Sequence, residues 1–317
     1  LDDLDTGWSR FYVEIPFYWE STFIPGRFVW DMEEDYYLGG STDFEATGGF
    51  YGLDSYLTDR TTDGLGWTKS FGMGSVHAYV AHPNLFEMNL GKTDEPDVLG
   101  AWGAWELFLM GKLQFTEQFG LDLGFQAFIG DNAEPAADKL VDGSFSFDNL
   151  WTVFGGLRFN FNDNIAFKGI VYHQQANGDW WVAADKKWYD ADFDSTNAWK
   201  LIVDVKQEAL KFTSLWLEYG QMDAGFVVPQ GLGAVFAQGE VGSEYILPDD
   251  LKYWRIGLGQ EWNEKWATHL FYYNYDFDKD ASEDFKEWGL GVQYVYNPNV
   301  KFGLNFVKVD WDKKDDD

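Results

Sequence analysis

The stretch Trp105-Glu-Leu-Phe-Leu-Met-Gly-Lys-Leu-Gln-Phe115 contains two alternating sets of side chains. The odd-numbered set is apolar and consists of Trp105, Leu107, Leu109, Gly111, Leu113 and Phe115. The even-numbered set combines Glu106, Lys112 and Gln114 with Phe108 and Met110. Because successive side chains of a β-strand point to opposite faces of its sheet, the stretch predicts a strand with one apolar face and one mixed, polar face.

The same period of two recurs along the whole chain and predicts about fifteen strands. Their expected bounds are residues 7–17, 26–35, 44–56, 69–82, 85–91, 101–116, 120–131, 150–162, 165–177, 197–207, 211–223, 251–262, 265–277, 286–296 and 300–311. Most of them are about 10 residues or longer, whereas strands of soluble proteins usually have ~5–6 residues. Their length matches the ~9–11 residues with which a tilted strand crosses a bilayer.

Short and long connections alternate between these segments. The short ones are residues 36–43, 82–84, 116–120, 162–164, 208–210, 263–264 and 297–299. The long ones are residues 57–68, 92–100, 132–149, 178–196, 224–250 and 278–285. Tight periplasmic turns opposite long outer loops are typical of outer-membrane barrels. The sequence therefore predicts an all-β chain in which residues 1–317 form one transmembrane antiparallel up-and-down β-barrel, with about 16 strands and 14 as the next choice.

The charge of the chain narrows its possible functions. Asp and Glu number 53 against 23 Lys and Arg, which gives a formal net charge of −30. Nucleic acid is not an expected partner, because binding it needs a basic surface that neutralises phosphates. The chain has no Cys, and its four His lie in no catalytic motif. His173 and His269 could act as bases, but we expect them to be wall residues and the protein not to be an enzyme.

The C-terminal run Trp288-Gly-Leu-Gly-Val-Gln-Tyr-Val-Tyr-Asn-Pro-Asn-Val-Lys-Phe-Gly-Leu-Asn-Phe-Val-Lys-Val-Asp-Trp-Asp312 resembles the next-to-last hairpin of bacterial outer-membrane general porins. It is most similar to the barrels of porins that carry an S-layer-homology domain and tether the membrane to the cell wall. The resemblance implies a homotrimer in the outer membrane of a Gram-negative (diderm) bacterium, surrounded by lipid and lipopolysaccharide. It also implies passage of small hydrophilic solutes and ions, and a link to peptidoglycan or another cell-wall polymer through a domain absent from these residues.

The chain departs from that family in two respects. It contains no S-layer-homology domain, and it stops at Lys313-Lys-Asp-Asp-Asp317, whereas such porins end in a strand that closes on an aromatic residue. Fifteen strands is an odd number, and single-chain bacterial barrels have even numbers. The alternation of connections places residue 1 on the periplasmic side and residue 317 outside. We therefore expect a terminal strand, and with it an N-terminal periplasmic domain, to be missing from these residues.

If the apolar face meets lipid, the polar face lines a water-filled lumen. The charged side chains that the alternation assigns to this lumen are nearly balanced in sign, and we expect them to line the pore. They are Arg10, Glu14, Arg27, Asp31, Glu33, Glu87, Glu106, Lys112, Asp122, Arg158, Lys168, Lys200, Asp204, Lys206, Glu218, Arg255 and Glu261. Most of the acidic excess then lies in the loops, where acidic mouths raise the local cation concentration. The sequence predicts passive diffusion with a weak preference for cations.

Long connections are the candidates for a constriction and for ion binding. Residues 132–149 and 224–250 are long and partly apolar, and the second of them is the candidate for a plug in the lumen. Another connection is crowded with acidic side chains whose oxygens could hold Ca²⁺, namely Asp185, Asp190, Asp192 and Asp194. Their spacing does not match an EF-hand loop, so a solvated acidic loop is the favoured interpretation and no cofactor is expected.

Three other functions stay open from the sequence. A substrate-specific channel, for example for sugars, would carry aromatic side chains along its lumen, and five are expected to point inward: Tyr12, Phe108, Phe128, Tyr172 and Trp216. A structural barrel would anchor the outer membrane to the cell wall. A soluble β-protein would bind glycans through its Trp and Tyr residues.

Overall fold

A computed structural model gives the fold of the chain. It describes residues 11–29, 33, 35–36, 56–57, 61–83, 105–129, 145–182, 187–192, 195–228, 247, 249–278, 284–297 and 300–312. Most of these residues lie in β-strands. The described part of the chain holds no helix that is long and apolar enough to cross a membrane.

Within the described residues, sixteen strands form a single sheet. They are β1 (Phe11–Tyr12), β2 (Ile15–Phe17), β3 (Ser21–Val29), β4 (Thr61–Phe71), β5 (Gly74–Pro83), β6 (Trp105–Gln114), β7 (Phe119–Ile129), β8 (Phe145–Asn162), β9 (Ile165–Val182), β10 (Lys187–Asp192), β11 (Thr196–Val205), β12 (Ser214–Met222), β13 (Leu251–Asn263), β14 (Trp266–Phe277), β15 (Asp284–Asn297) and β16 (Val300–Asp312). One short helix, α1 (Gln207–Leu210), connects β11 to β12.

The strands follow one another in the sheet in the order in which they occur in the chain. The path begins β1-β3-β4 and runs through to β16, with every pairing antiparallel. Two strands lie off the path: β2 pairs with β3 and continues the interrupted β1, and β10 pairs with β9. Fourteen of the sixteen strands remain in the path when these two are set aside. The prediction of an all-β, antiparallel up-and-down architecture is confirmed.

Short and long connections lie at opposite ends of the sheet, as the sequence predicted. The tight turns at one end include residues 72–73, 163–164 and 264–265. The long connections at the other end include β3–β4, β5–β6, β7–β8 and β12–β13. Since β1 pairs Phe11 with Arg27 near the end of β3, the first described strand starts at the long-connection end. The last strand, β16, finishes at that same end. The predicted periplasmic position of residue 1 lies outside the described residues.

The N-terminal third contains the largest differences from the predicted strands. Residues 57–68 were expected to form a long connection, but most of them belong to β4. The strand predicted at 69–82 is instead the end of β4, a tight turn at Gly72-Met73 and most of β5. The strand predicted at 85–91 lies outside the described residues, as does nearly all of the one predicted at 44–56. The glycines and threonines of β4 obscure its alternation, which explains the error.

The two faces of the sheet differ in exposure in the way that the alternation predicted. On the outer face, Leu109 is 52% exposed and Val171 is 60% exposed. Their chain neighbours Phe108 and Tyr172 point to the inner face and are almost fully buried. An apolar face of this kind is what a strand crossing a bilayer presents to lipid. The inner face is therefore the place to look for function.

The sheet has two free edges within the described residues. The strand β16 pairs with β15, and no pairing between β16 and β1 or β3 is present among the described strands. Side chains on both faces of the first half of β16 are exposed, including Leu304 and its neighbour Asn305. Residues on both sides of an edge strand are less covered because no neighbouring strand packs beside them.

Candidate functional site

The inner face of the sheet carries two kinds of chemistry. Charged side chains dominate the strands from β6 to β11, and aromatic rings dominate those from β12 to β15. Along each strand, these charged and aromatic side chains alternate with exposed apolar residues of the outer face. They therefore share the inner face of the sheet. Two connections also fold inward against them, one between β3 and β4 and one between β12 and β13.

An arginine–aspartate pair forms the centre of the charged half. The guanidinium of Arg158 donates from Nε and Nη2 to the two carboxylate oxygens of Asp122, at 2.9 and 3.0 Å. Its Nη1 atom lies 3.7 Å from Asp35, and Lys112 Nζ lies 3.4 Å from that same carboxylate. Parallel hydrogen bonds of this kind fix both partners in orientation as well as distance. The pair therefore anchors the inward residue Asp35 to the wall.

A polar cavity of about 470 Å³ opens at the short-turn end of this charged half. Its lining includes Asp35, Arg158, Lys168, Asp204 and Lys206. The ammonium of Lys168 lies 3.3 Å from Asp204. Because the lining contains both signs of charge and several asparagines, the cavity suits water and small polar solutes rather than an apolar ligand.

The aromatic half surrounds a buried ion pair. Arg255 Nη1 lies 3.2 Å from Glu218 Oε1, and both side chains are almost fully buried. The guanidinium lies over the rings of Tyr253, Tyr273 and Tyr275, at 4.6, 5.3 and 5.4 Å from their centroids. Tyr253 also donates its hydroxyl to Glu218, at 2.9 Å. Aromatic faces stabilise a desolvated cation, so these rings lower the energetic cost of placing a charge inside the barrel.

The connection between β3 and β4 enters the lumen at two points. Tyr36 donates its hydroxyl to Asp122 Oδ2 at 2.7 Å. Glu33 accepts one hydrogen bond from the Tyr172 hydroxyl on β9 and a second, of 2.8 Å, from the backbone N–H of Leu57. Burial and the Asp122 carboxylate raise the pKa of Tyr36. The described residues of this connection are thus held against the wall by hydrogen bonds to β7 and β9.

Tyr56, on the same connection, reaches across to the opposite wall. Its hydroxyl hydrogen bonds to that of Tyr253, and its ring centroid lies 5.1 Å from that of Tyr172. The ammonium of Lys200 lies 4.7 Å from the centre of the Tyr56 ring. Strands β9, β11 and β13 therefore meet one another through a single residue of the connection.

The connection between β12 and β13 contributes a second inward segment. Phe226, Val227 and Val228 are buried in the lumen together with Leu247. The backbone of Val227 and the side chain of Gln174 exchange two hydrogen bonds, of 2.6 and 2.9 Å. The predicted inward fold of residues 224–250 is thus present in the part that the structure describes. The other predicted constriction, 132–149, lies mostly outside that part, and its last residues begin β8.

The described residues of these two connections pack against the inner face of the wall. Wall residues on this face, such as Phe108, Tyr172 and Trp216, have exposures of 3% or less. A side chain that lined a wide water channel would keep much more of its surface accessible. The β3–β4 connection was missed from the sequence because its Glu33-Glu-Asp-Tyr36 was taken for the end of a strand and a turn.

Most described charges that the sequence assigned to the lumen lie on the inner face. They are Glu106, Lys112, Asp122, Arg158, Lys168, Lys200, Asp204, Glu218 and Arg255. Glu33 also lies inside, but on the β3–β4 connection rather than on a wall strand. Lys206 and Glu261 are exposed at the short-turn end, and Glu14 is exposed in the break between β1 and β2. Arg10, Asp31 and Glu87 lie outside the described residues.

Arg27 is a correction, because it lies on the outer face. It pairs with Asp63 on the neighbouring strand, with Arg27 Nη2 lying 2.8 Å from Asp63 Oδ2. On β3 it alternates with the buried Phe28, and on β4 its partner Asp63 shares a face with the exposed Leu65. The prediction put Arg27 on one face with Asp31 and Glu33 of a single strand at residues 26–35, whereas β3 ends at Val29 and Glu33 lies on the β3–β4 connection.

The inward aromatic residues follow the sequence prediction closely. Phe108, Phe128, Tyr172 and Trp216 are all buried on the inner face, whereas Tyr12 is exposed at the edge of the sheet. The calcium candidates remain untested: Asp185 and Asp194 lie outside the described residues, and Asp190 and Asp192 belong to β10. Within the described ranges, no group of three or more His, Asp or Glu side chains could hold a metal ion.

Comparison with known proteins identifies the fold. No family model matches the chain, and no curated protein matches it. Solved structures do: Pseudomonas aeruginosa OccD3 (OpdP) has 15% identity over 93% of this chain and 70% of its own, with a TM-score of 0.52. OpdQ of the same organism has 10% identity over 93% and 74%, with a TM-score of 0.54. Its outer membrane protein OpdK has 11% identity over 92% and 72%, with a TM-score of 0.50.

These similarities extend along nine-tenths of the chain. At such low identity they show that the chain has the fold of these proteins, and nothing about its solute. They agree with the sequential antiparallel pairing and the two-faced wall described above.

Proposed function

We propose that this chain is an outer-membrane channel of the porin type, which lets small hydrophilic solutes and ions cross the outer membrane of a diderm bacterium by diffusion. The observation that carries the proposal is the division of one wall into an apolar outer face and an inner face rich in charges. Lipid stabilises the first face, and a polar route through the barrel explains the second. The OpdK structure, described as that of an outer membrane protein, supports this location.

Selectivity in this proposal arises where the inward segments meet the wall. A solute from the charged half encounters Arg158 and Asp122 first, and then the packed region around Tyr56. Among the described side chains that are fully buried, carboxylates outnumber cations: the carboxylates are Glu33, Glu106, Asp122, Asp204, Glu218, Asp249 and Glu287, and the cations are Lys168, Lys200 and Arg255. An excess of fixed negative charge concentrates cations, so we propose a weak preference for cations.

Single-channel recording in a planar bilayer tests this function. The detergent-purified protein is added to one side, with a salt gradient across the membrane. Stepwise current increases and a reversal potential of the sign expected for cations support the proposal. A folded, heat-modifiable protein that gives no current steps contradicts channel function, and a reversal potential of the opposite sign contradicts only the selectivity. Protein that has been boiled before addition serves as the control.

A substrate-specific channel is the second candidate, and one observation favours it. Rings of the inner face pack against buried residues of the two inward connections, which leaves less room for unselective diffusion than an open general porin does. Aromatic faces bind flat solutes such as sugars along a path. Reduction of the ion current by a sugar at millimolar concentration would favour this candidate, and a current insensitive to a series of sugars would favour general diffusion.

We further propose assembly as a homotrimer, with lipid and lipopolysaccharide around the apolar face. Native mass spectrometry of the detergent-solubilised protein measures the subunit number. We also propose that a separate domain outside these 317 residues tethers the barrel to peptidoglycan. Co-sedimentation of the intact protein with purified cell walls tests the tether. Protein that stays in the supernatant would contradict it.

A further inference from the structure

Tyr56 is held in the lumen in the way that a protein holds a ligand. It belongs to a connection rather than to a wall strand, yet it is wholly buried. Its ring lies among the rings of Tyr172 and Phe226, at centroid distances of 5.1 and 6.1 Å. Its hydroxyl hydrogen bonds to Tyr253, and the Lys200 ammonium lies over its face.

The groups around Tyr56 come from four separate parts of the chain. Tyr172 lies on β9, Lys200 on β11, Tyr253 on β13, and Phe226 on the β12–β13 connection. We call these four residues the Tyr56 shell. Two of them cover the ring, one places a cation on its π-face, and one binds its hydroxyl. Convergence of a few polar groups on an otherwise aromatic pocket is characteristic of small-molecule sites.

We propose that the Tyr56 shell is a binding site for solutes with a hydroxylated aromatic ring, and that Tyr56 occupies this site as an internal substitute for them. The proposal rests on the function as a channel proposed above, because such a solute reaches the shell on its way through the lumen. It adds the chemical class of solute that the narrow part of the lumen selects.

When a free phenolic solute displaces Tyr56, one phenol ring takes the place of another. The incoming ring recovers the aromatic contacts and the contact with the Lys200 ammonium that the Tyr56 ring gives up. The net cost is then the release of the connection from the wall, together with the entropy lost by the solute. A solute without these features recovers less and competes less well.

The shell also sets the features that the solute needs. The Lys200 ammonium favours a π-face, which a saturated ring lacks. The Tyr253 hydroxyl, itself hydrogen bonded to Glu218, favours a hydroxyl over a bare hydrocarbon. Glu33 accepts a hydrogen bond from Tyr172 beside the ring, so an aromatic carboxylate would meet a like charge. Neutral phenols fit these conditions.

Calorimetric titration of the full chain in detergent micelles provides the first test. The probe is p-cresol, which is the side chain of tyrosine, and the receptor is the Tyr56→Ala variant. We expect Tyr56→Ala to bind p-cresol at least tenfold more tightly than 4-methylcyclohexanol, which has a similar size and a hydroxyl but no π-face. Adding Lys200→Met should weaken p-cresol binding about fivefold, because the cation over the ring is lost.

Tyr36→Ala is the matched control. Tyr36 enters the lumen from the same connection and is also buried and hydrogen bonded through its hydroxyl, but to the carboxylate of Asp122. We expect this variant to bind p-cresol at least tenfold more weakly than Tyr56→Ala. Equal binding by the two variants, or equal binding of p-cresol and 4-methylcyclohexanol to Tyr56→Ala, would overturn the proposal.

Current recordings separate this inference from the channel function. Addition of p-cresol should reduce the current through Tyr56→Ala at lower concentration than through the unaltered protein, in which Tyr56 competes. Binding without any channel current leaves the site standing and removes the channel. Channel current without p-cresol binding contradicts the site and leaves the channel function standing. If Tyr56→Ala fails to fold, the unaltered protein decides: p-cresol must reduce its current and 4-methylcyclohexanol must not, and any other result overturns the site.

Discussion

Replacing Gly156 by alanine should open the lumen, because the added methyl group collides with Tyr36. A Cβ at residue 156 would lie 2.3 Å from the Tyr36 hydroxyl oxygen and 2.5 Å from Cζ of the same ring. The tyrosine must move, and it then loses its 2.7 Å hydrogen bond to Asp122. Overpacking together with one lost hydrogen bond to a buried carboxylate costs about 1–3 kcal/mol.

Gly155→Ala is the matched control for this variant. Residue 155 is the chain neighbour of Gly156 and points to the outer face, where a Cβ would meet only the Leu123 side chain, at 3.4 Å. That distance is an ordinary contact, so the free energy of unfolding should change by less than about 0.5 kcal/mol. The two variants differ by position alone, since both exchange glycine for alanine on strand β8.

Urea unfolding in detergent, followed by tryptophan fluorescence, measures the stability of both variants, and single-channel recording measures their conductance. We expect Gly156→Ala to be the less stable of the two and to show a larger conductance than the unaltered protein. Equal stability of the two alanine variants, or an unchanged conductance in Gly156→Ala, would refute the view that Tyr36 docks against the wall and narrows the pore.

Four further predictions concern other contacts. In a double-mutant cycle with Asp122→Asn and Arg158→Gln, the paired hydrogen bonds should give a coupling of about 1–3 kcal/mol in urea unfolding, and independent effects would contradict the pairing. Arg27→Ala should leave conductance and reversal potential unchanged, because Arg27 faces outward. Altered selectivity in bilayer recordings would show instead that Arg27 lines the pore. Gln174→Met should raise conductance and lower stability by about 1–3 kcal/mol, since the backbone of Val227 loses two hydrogen bonds, and a conductance like that of the unaltered protein would argue against this contact. The raised pKa of Tyr36 means that the folded protein keeps its proton where the unfolded chain loses it, so the free energy of unfolding should fall as pH rises above about 10, and Tyr36→Phe should show a smaller fall.

The alternation of side chains was enough to predict the wall of the barrel. Between residues 105 and 129 the observed burial follows the predicted faces almost position by position, because a strand fixes the direction of each side chain once one of them is placed. The prediction from alternation was wrong in strands where no side chain clearly marks a face. In β4, glycine and threonine replace the apolar residues that mark a face, and the face of Arg27 was assigned from a predicted strand that runs past Val29, where β3 ends.

The inward connections could be predicted only in part. Apolar residues at 226–228 signalled a segment that does not belong in water, and the structure buries them. Glu33, Tyr36 and Tyr56 gave no comparable signal, because carboxylates and tyrosines are equally common in exposed loops. Their burial depends on partners such as Asp122, Tyr172 and Tyr253, which lie far away along the chain. Periodicity describes neighbours in sequence and contains no information on such pairs.

The distance between these partners along the chain also constrains how the protein assembles. Glu33 and Tyr172 are separated by 139 residues, and Tyr56 and Tyr253 by 197. The strands themselves pair with sequence neighbours, so the wall can grow by local steps, whereas the filling of the lumen must wait for β9 and β13. The connection after β3 therefore has to be enclosed as the later strands curve around it. The contacts that fill the lumen therefore form after neighbouring strands have paired, and the search for such distant partners makes their formation slow.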